Sequence, residues 1–299
     1  MAIRVEFGSG LGNQLFQFAA AYSLSRRVRQ EILADLSSYE YPRSKGGRII
    51  HRPFVLEELG FPMTVRRSHW PFLYRLRGYP RLRRAVVNWG AVRFSSEGDY
   101  SSEFDRLPCS TVLSGYFQDL RYFQGVIEEV MTIVRDRLEV ACRDSWEPIP
   151  KSTGAVHLRF GDYLKHPEFY PGWFAEYAPN VTRSLLDSQG CDRVVIFTDD
   201  AVSAASCLKG FGSNVEIATS NPIHQGAADL LRMSSASVLA IANSSFSWWA
   251  GMLASQQGRR VIAPALWSTW CDDPEVRLYP TSWTVLQNTG FLGGQDTAK

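Results

Sequence analysis

The sequence predicts an α/β protein built from parallel sheets. Three observations carry this. The chain opens as strand, glycine turn, helix and second strand, the start of a βαβ unit. The second half alternates strand patterns with helical patterns. Each polar cluster in that half stands at the carboxyl end of a strand, where doubly wound sheets hold their ligands.

In order along the chain, IRVEF (3–7) is a short apolar run and GSGLGN (8–13) breaks it. QLFQFAAAYSLSRRV (14–28) then places Leu15, Phe18, Ala19, Tyr22 and Leu24 at helical spacing, and EILADL (31–36) is a second strand. Residues 37–110 carry no regular pattern. From 59 to 96 there is no acid, while eight arginines mix with Trp70, Phe72, Tyr74, Tyr79 and Trp89. That stretch reads as a solvated, partly helical insertion, or as a patch for a lipid surface or an anionic acceptor. TVLSGYFQDLRYF (111–123) runs from strand to helix, and 125–146 is an amphipathic helix. WEPIPKSTG (146–154), with two prolines and a glycine, is the expected linker between domains 1–150 and 151–299. Beyond it, strands are expected at 155–160, 193–198, 215–219, 237–243 and 260–264, and helices at 173–189, 201–209, 224–236 and 245–257.

Composition narrows the function classes. With 299 residues, 45% hydrophobic and 21% charged, the chain buries a core and is not globally disordered. The 32 basic and 30 acidic side chains balance to +2, which argues against a nucleic-acid coat. No stretch reaches the roughly 20 apolar residues of a membrane span, and no signal-peptide layout opens the chain. Five scattered cysteines without CxxC spacing fit a reducing, cytoplasmic setting rather than a disulfide or zinc framework.

Four clusters carry chemistry. In HLRFGDY (157–163) the strand alternation puts His157 and Arg159 on one face, with Gly161 and Asp162 in the turn after it. A strand-end arginine suits a phosphate; the plain alternative is an Arg–Asp pair that braces the turn. FTDD (197–200) offers adjacent acids. They fit helix capping by Asp199 or Asp200 better than a divalent metal, so no metal site is expected. ANSSFSWWAGML (242–253) places Ser244 and Ser245 at a helix N-terminus, where free N–H groups and the dipole attract an anion. Asp229, upstream on the helix feeding that strand, is a carboxylate able to accept two bonds from a guanine edge. In GSGLGNQ (8–14) Asn13 stands where a dinucleotide fingerprint needs glycine. Gly12 and its neighbours then serve close backbone approach of a substrate, and Asn13 and Gln14 offer polar groups to hydroxyls.

These clusters, in this order, resemble glycosyltransferase family 11, the α-1,2-fucosyltransferases and their bacterial relatives. The matching strings are GLGNQLFQ (10–17), GYFQDLRYF (115–123), HLRFGDY (157–163), FTDD (197–200), DLLRMSSASVLAIANSSFSWWAGML (229–253) and VIAPALW (261–267), which span nearly the whole chain. The resemblance implies a GT-B-like fold, two Rossmann-like domains facing across a cleft. It implies GDP-fucose as donor, inversion at the anomeric carbon, no required metal and a glycan acceptor. Carried over, Arg159 contacts the β-phosphate, His157 lies by the nucleoside and Asp229 binds guanine. Ser244, Ser245 and Phe246 hold the pyrophosphate, and Asn13 faces the reacting sugar. One position departs: the family string is HxRRGDY, and Phe160 replaces its second arginine. A related GDP- or dTDP-deoxyhexose is therefore the alternative donor.

Transfer builds negative charge on the leaving diphosphate, which Arg159 and the helix N-terminus would stabilise. A carboxylate would take the proton of the acceptor hydroxyl, and Asp162 and Glu168 are both candidates. The expected acceptor is O2 of a galactose in a surface polysaccharide precursor. Two other classes compete. A dinucleotide oxidoreductase would need glycine at 13 and an acid nearer than Asp35. A catalytically dead glycan-binding relative would bind without turnover.

Overall fold

The computed structural model describes residues 2–36, 39, 52–66, 91–96, 99–161, 163, 174–187, 191–218, 224, 226–267 and 277–286. The chain divides into two units, Met1–Ala141 and Cys142–Lys299. Each is a parallel-sheet α/β unit, as the sequence predicts.

In the first unit the strands are β1 (Ala2–Glu6), β2 (Glu31–Asp35), β3 (Thr64–Arg66), β4 (Val92–Ser96) and β5 (Thr111–Gly115). The described helices are α1 (Leu11–Val28) and α2 (Ile127–Ala141). The sheet order is β3-β2-β1-β5-β4, all parallel, with Ile3 opposite Ile32 and Val5 opposite Ala34. The chain winds outward from β1 through β2 to β3, crosses to the opposite edge at β4 and returns beside β1 with β5. The switch point therefore lies between β1 and β5, and a crevice opens there at the strands' carboxyl ends. The predicted apolar stripe of α1 is buried at Leu15, Phe18, Ala19 and Leu24. Tyr22 is half-buried, and its hydroxyl donates to Glu129 on α2 at 2.9 Å.

In the second unit the strands are β6 (Thr153–Leu158), β7 (Arg193–Thr198), β8 (Val215–Ile217), β9 (Val238–Ala240), β10 (Arg260–Pro264) and β11 (Thr284–Leu286). Its helices are α3 (Phe174–Leu186), α4 (Ala201–Cys207), α5 (Ala227–Ser234) and α6 (Ser245–Gln256). The order β11-β10-β9-β6-β7-β8, again all parallel, puts the switch point between β6 and β9. β6 is central and buried along its whole length, as a strand covered on both faces is.

The structure departs from the sequence reading at several edges. Thr153 and Gly154, read as the end of a linker, are the first residues of β6. Ahead of them the Ile149 N–H donates to the Ser235 hydroxyl at 2.8 Å, which fastens that stretch to the second unit. The helix read as 125–146 starts at Ile127 after two 3-10 turns and ends at Ala141. β3, β4 and β11 had no signal because they are short edge strands with mixed exposure. Most of the arginine-rich stretch, residues 67–90, lies outside the described residues. Among the described residues, no helix is long and apolar enough to cross a membrane.

Candidate functional site

At the second switch point, β6 ends by presenting His157 and Arg159. His157 is 6% exposed, and its Nδ1 is buried without a hydrogen-bond partner. Burial and then the Arg159 charge press the imidazole down to about 3, so it is neutral at working pH. The Phe246 ring lies 5.8 Å from it. Arg159 Nη1 pairs with Asp199 Oδ2 at 2.9 Å, and Asp199 Oδ1 accepts the Phe160 N–H at 2.8 Å. The brace on Arg159 is therefore Asp199 at the end of β7, a neighbouring strand. Gly161 is required by that brace, since a Cβ there would sit hard against the Asp199 carboxylate, 3.3 Å from its carbon.

The two acids of FTDD thus divide their work. Asp200 caps α4, accepting from the N–H groups of Val202 at 3.1 Å and Ser203 at 3.0 Å. Asp199 holds the guanidinium. Tyr163 adds a second tie: its hydroxyl donates to the Asn243 carbonyl at 3.0 Å, and the Arg159 guanidinium lies 5.8 Å from its ring.

Across the switch point, β9 leads into α6. Ser244 occupies the N-cap position with extended backbone, yet its side chain makes no capping hydrogen bond. Trp248 N–H donates to Ser244 O at 3.0 Å and closes the first turn. The head of α6 is thus left without the capping hydroxyl expected of an ordinary serine start. Ser244 is 6% exposed, while Ser245 and Phe246 are half-buried. Asn243 is 2% exposed; its Nδ2 donates to Trp267 O at 2.9 Å and its Oδ1 is buried without a partner. Leaving a buried polar atom unmet costs about 1–3 kcal/mol. Here the Nδ1 of His157 and the Oδ1 of Asn243 both stand so, beside an uncapped helix head.

Asp229 is 5% exposed in the first turn of α5, which starts on the carboxyl-end side of the sheet as a crossover helix must. Arg232 approaches it at 3.5 Å, and the Arg232 guanidinium lies 5.2 Å from the Phe197 ring. Phe160 is 2% exposed and packs in the core with Tyr177, Val181 and Leu185. Its ring belongs to the interior, so no second guanidinium reaches the site from this position. Asp162 and Glu168 lie outside the described residues. Among the described residues, no group of three or more His, Cys, Asp or Glu is placed to hold a metal ion.

The first unit's switch point is built from amides. Gln14 is fully buried: its Nε2 donates to Ser9 O and Pro53 O, both at 3.0 Å, and its Oε1 accepts Val55 N–H at 3.1 Å. It is therefore structural and does not offer itself to hydroxyls as the sequence suggested. Gln17 is also buried; its Oε1 accepts Gly8 N–H at 3.1 Å and its Nε2 donates to Gly115 O at 2.8 Å. Gln17 thereby staples the loop after β1 to the loop after β5. Gly12 is buried in the first turn of α1. Asn13 is half-buried, and its Oδ1 accepts from Gln118 Nε2 at 2.7 Å. Sequence reasoning passed over Gln17 and Gln118. The signal for Gln17 was an amide inside a run of buried apolar side chains on α1.

The buried neutral His157 gives a pH prediction. A histidine unfolds to its ordinary value near 6.5, so the unfolded chain binds this proton more readily than the folded one. The stability tied to His157 is present above about 6.5 and is lost as pH falls from there toward about 3. Melting curves recorded from pH 7 to pH 4 are expected to fall more steeply in wild type than in H157Q. Parallel curves would show that the imidazole is not held neutral.

A family model described as glycosyl transferase family 11 matches residues 84–287. The chain is similar to the O-antigen biosynthesis glycosyltransferase WbnK of Escherichia coli, 25% identical over 308 residues, covering 93% of this chain and 98% of that one. It is also similar to an alpha-1,2-colitosyltransferase of Escherichia coli, 27% identical over 274 residues, covering 86% and 89%. Among solved structures, fucosyltransferase NodZ from Bradyrhizobium aligns with a TM-score of 0.42 and 15% identity over 85% of this chain and 94% of that one.

Proposed function

The chain belongs to glycosyl transferase family 11, and from that premise we propose that it moves fucose from GDP-fucose to a glycan hydroxyl, O2 of a galactose in a surface polysaccharide precursor. The observation that carries this reading is the second switch point. Arg159, the uncapped head of α6, and the unmet His157 Nδ1 and Asn243 Oδ1 stand together there. This is the equipment for a ligand with an anionic end and a hydrogen-bonding end.

In this reading the diphosphate lies on the amides of Ser245 and Phe246 with the hydroxyls of Ser244 and Ser245, and Arg159 meets the β-phosphate. As the bond to the anomeric carbon lengthens, charge grows on the leaving oxygen. A fixed guanidinium and a helix dipole already aimed there need no reorganisation, so the reaction proceeds without a metal. His157 acts as a neutral hydrogen-bonding group beside the nucleoside, because burial disfavours the imidazolium. The buried Asp229 carboxylate receives the guanine edge. Asp162 or Glu168 takes the proton of the acceptor hydroxyl, and the amide crevice of the first unit holds the acceptor. The Escherichia coli relatives named for O-antigen biosynthesis and for α-1,2 colitosyl transfer support the polysaccharide setting.

A related GDP-deoxyhexose is the second reading for the donor. Phe160 favours it, since the core position of its ring removes one cation from the site. A donor panel read by released nucleoside diphosphate separates the two. GDP-fucose turnover with a galactoside supports the first reading; turnover of another deoxyhexose alone replaces it. GDP binding by calorimetry with no turnover of any donor indicates a dead glycan-binding relative.

A further inference from the structure

We propose that Gln118 is a positioning residue that decides which face of the Asn13 amide an acceptor hydroxyl meets. The inference rests on the reading of the first unit's crevice as the acceptor side.

Both loops at this switch point are held in unusual backbone. Ser9, after β1, has φ 70°, and Phe117, after β5, has φ 54°. Non-glycine residues rarely adopt this left-handed region, and such placements concentrate where geometry serves function. The Phe117 ring is fully buried, 5.3 Å from the Tyr122 ring. Asp119 is fully buried as well and holds Arg121 through both carboxylate oxygens, at 2.9 and 2.6 Å. The Asp119 N–H donates to Phe117 O at 2.9 Å. Gln118 is therefore the raised residue of a tight turn anchored on either side.

From there its Nε2 donates to Asn13 Oδ1 at 2.7 Å, and Asn13 Nδ2 donates to Ser9 Oγ at 2.9 Å. The second bond alone would not orient the amide, because a serine hydroxyl both donates and accepts. In the structure Gln118 presents its NH₂ group, which only donates, so Asn13 turns its oxygen toward Gln118 and its nitrogen toward Ser9. A primary amide has two N–H groups and two lone pairs. Gln118 takes one lone pair and Ser9 one N–H, which leaves one lone pair and one N–H on the same amide. A sugar hydroxyl, which donates and accepts at once, fits that pair in one orientation.

Gln118→Glu tests this. The side chain keeps its length but only accepts, so the Asn13 amide must turn over. Measured on the full chain with GDP-fucose and a methyl galactoside, Q118E is expected to lose transfer by about 10²-fold, the scale of a misplaced reactant. GDP affinity, melting temperature and the hydrolysis of donor by water should stay unchanged. N13A should lose as much, and the double variant no more than N13A alone. Transfer by Q118E within twofold of wild type, losses that multiply in the double variant, or weakened GDP binding would each overturn the proposal. A wild type that turns over no donor would instead sink the functional reading. The inference is then judged by NMR of the Asn13 side-chain amide with methyl galactoside as probe. The signal should shift in wild type, and in Q118E start elsewhere and stay still. An unchanged starting position in Q118E overturns it.

Discussion

Arg159→Ala is expected to lower sugar transfer by about 10²–10³-fold, the usual effect of removing one group aimed at developing charge. The fold should hardly notice. The Arg159–Asp199 pair is partly open to solvent, with side chains 22% and 26% exposed, and such pairs contribute about 0–1 kcal/mol. For a chain of this size that corresponds to a melting shift of about 2–4 °C at most. The separation of the two readouts is what matters. Asp199 has a duty apart from the pair, accepting the Phe160 N–H, so the strand end survives loss of the guanidinium. Single-turnover rates with bound GDP-fucose, set beside thermal melts, check the prediction. Transfer within threefold of wild type would remove Arg159 from the account of the leaving group.

Gly115→Ala is expected to have the largest effect on stability, about 3–5 kcal/mol. Two costs act together. Gly115 has φ 120°, a region that side chains strongly avoid, and a Cβ there would land on the Ser96 carbonyl, 2.7 Å from its carbon. Neither partner can yield, because both are backbone and the Tyr116 N–H donates to that same Ser96 carbonyl at 2.9 Å. The Gly115 carbonyl also receives Gln17, so a shift of the loop strains the staple between β1 and β5. Urea unfolding should show a lowered midpoint with little change in slope. Gly125→Ala is the matched control, since nothing lies within 4 Å of a Cβ there. Equal midpoints for the two variants would contradict the argument.

Much of this architecture was legible in the sequence, for physical reasons. The glycine break at 8–13 between an apolar run and a helical stripe defined β1 and α1, and the strand–helix alternation defined the second sheet. The presence of β6 and β9 was legible from their apolar runs, but their ends were not: the strands read as 155–160 and 237–243 are Thr153–Leu158 and Val238–Ala240, because the residues that follow stay buried. What stayed hidden depends on non-local contacts. β3, β4 and β11 are edge strands whose short, mixed sequences acquire meaning only beside β2, β5 and β10. The partition of Asp199 and Asp200 was left open, because one acid bonds its own helix and the other bonds a residue forty positions earlier. Gln14 illustrates the opposite error. A polar residue beside Asn13 reads as a hydroxyl-binding group, yet its amide is committed to Ser9, Pro53 and Val55. Phe160, read only as a missing arginine, has a positive role in the interior.

The setting of α6 bears on attempts to re-engineer sugar preference. Trp248 and Trp249 are both fully buried, edge to face at 5.0 Å, and the Trp248 indole N–H donates to Leu278 O at 2.8 Å. A second indole, Trp283, donates to Ser255 near the helix's far end at 2.6 Å. A rod bolted at both ends cannot be nudged to suit a bulkier or smaller sugar on the diphosphate. Libraries aimed at new donors should therefore hold 247–255 constant and randomise the rim, treating the rod as the fixed datum of the design.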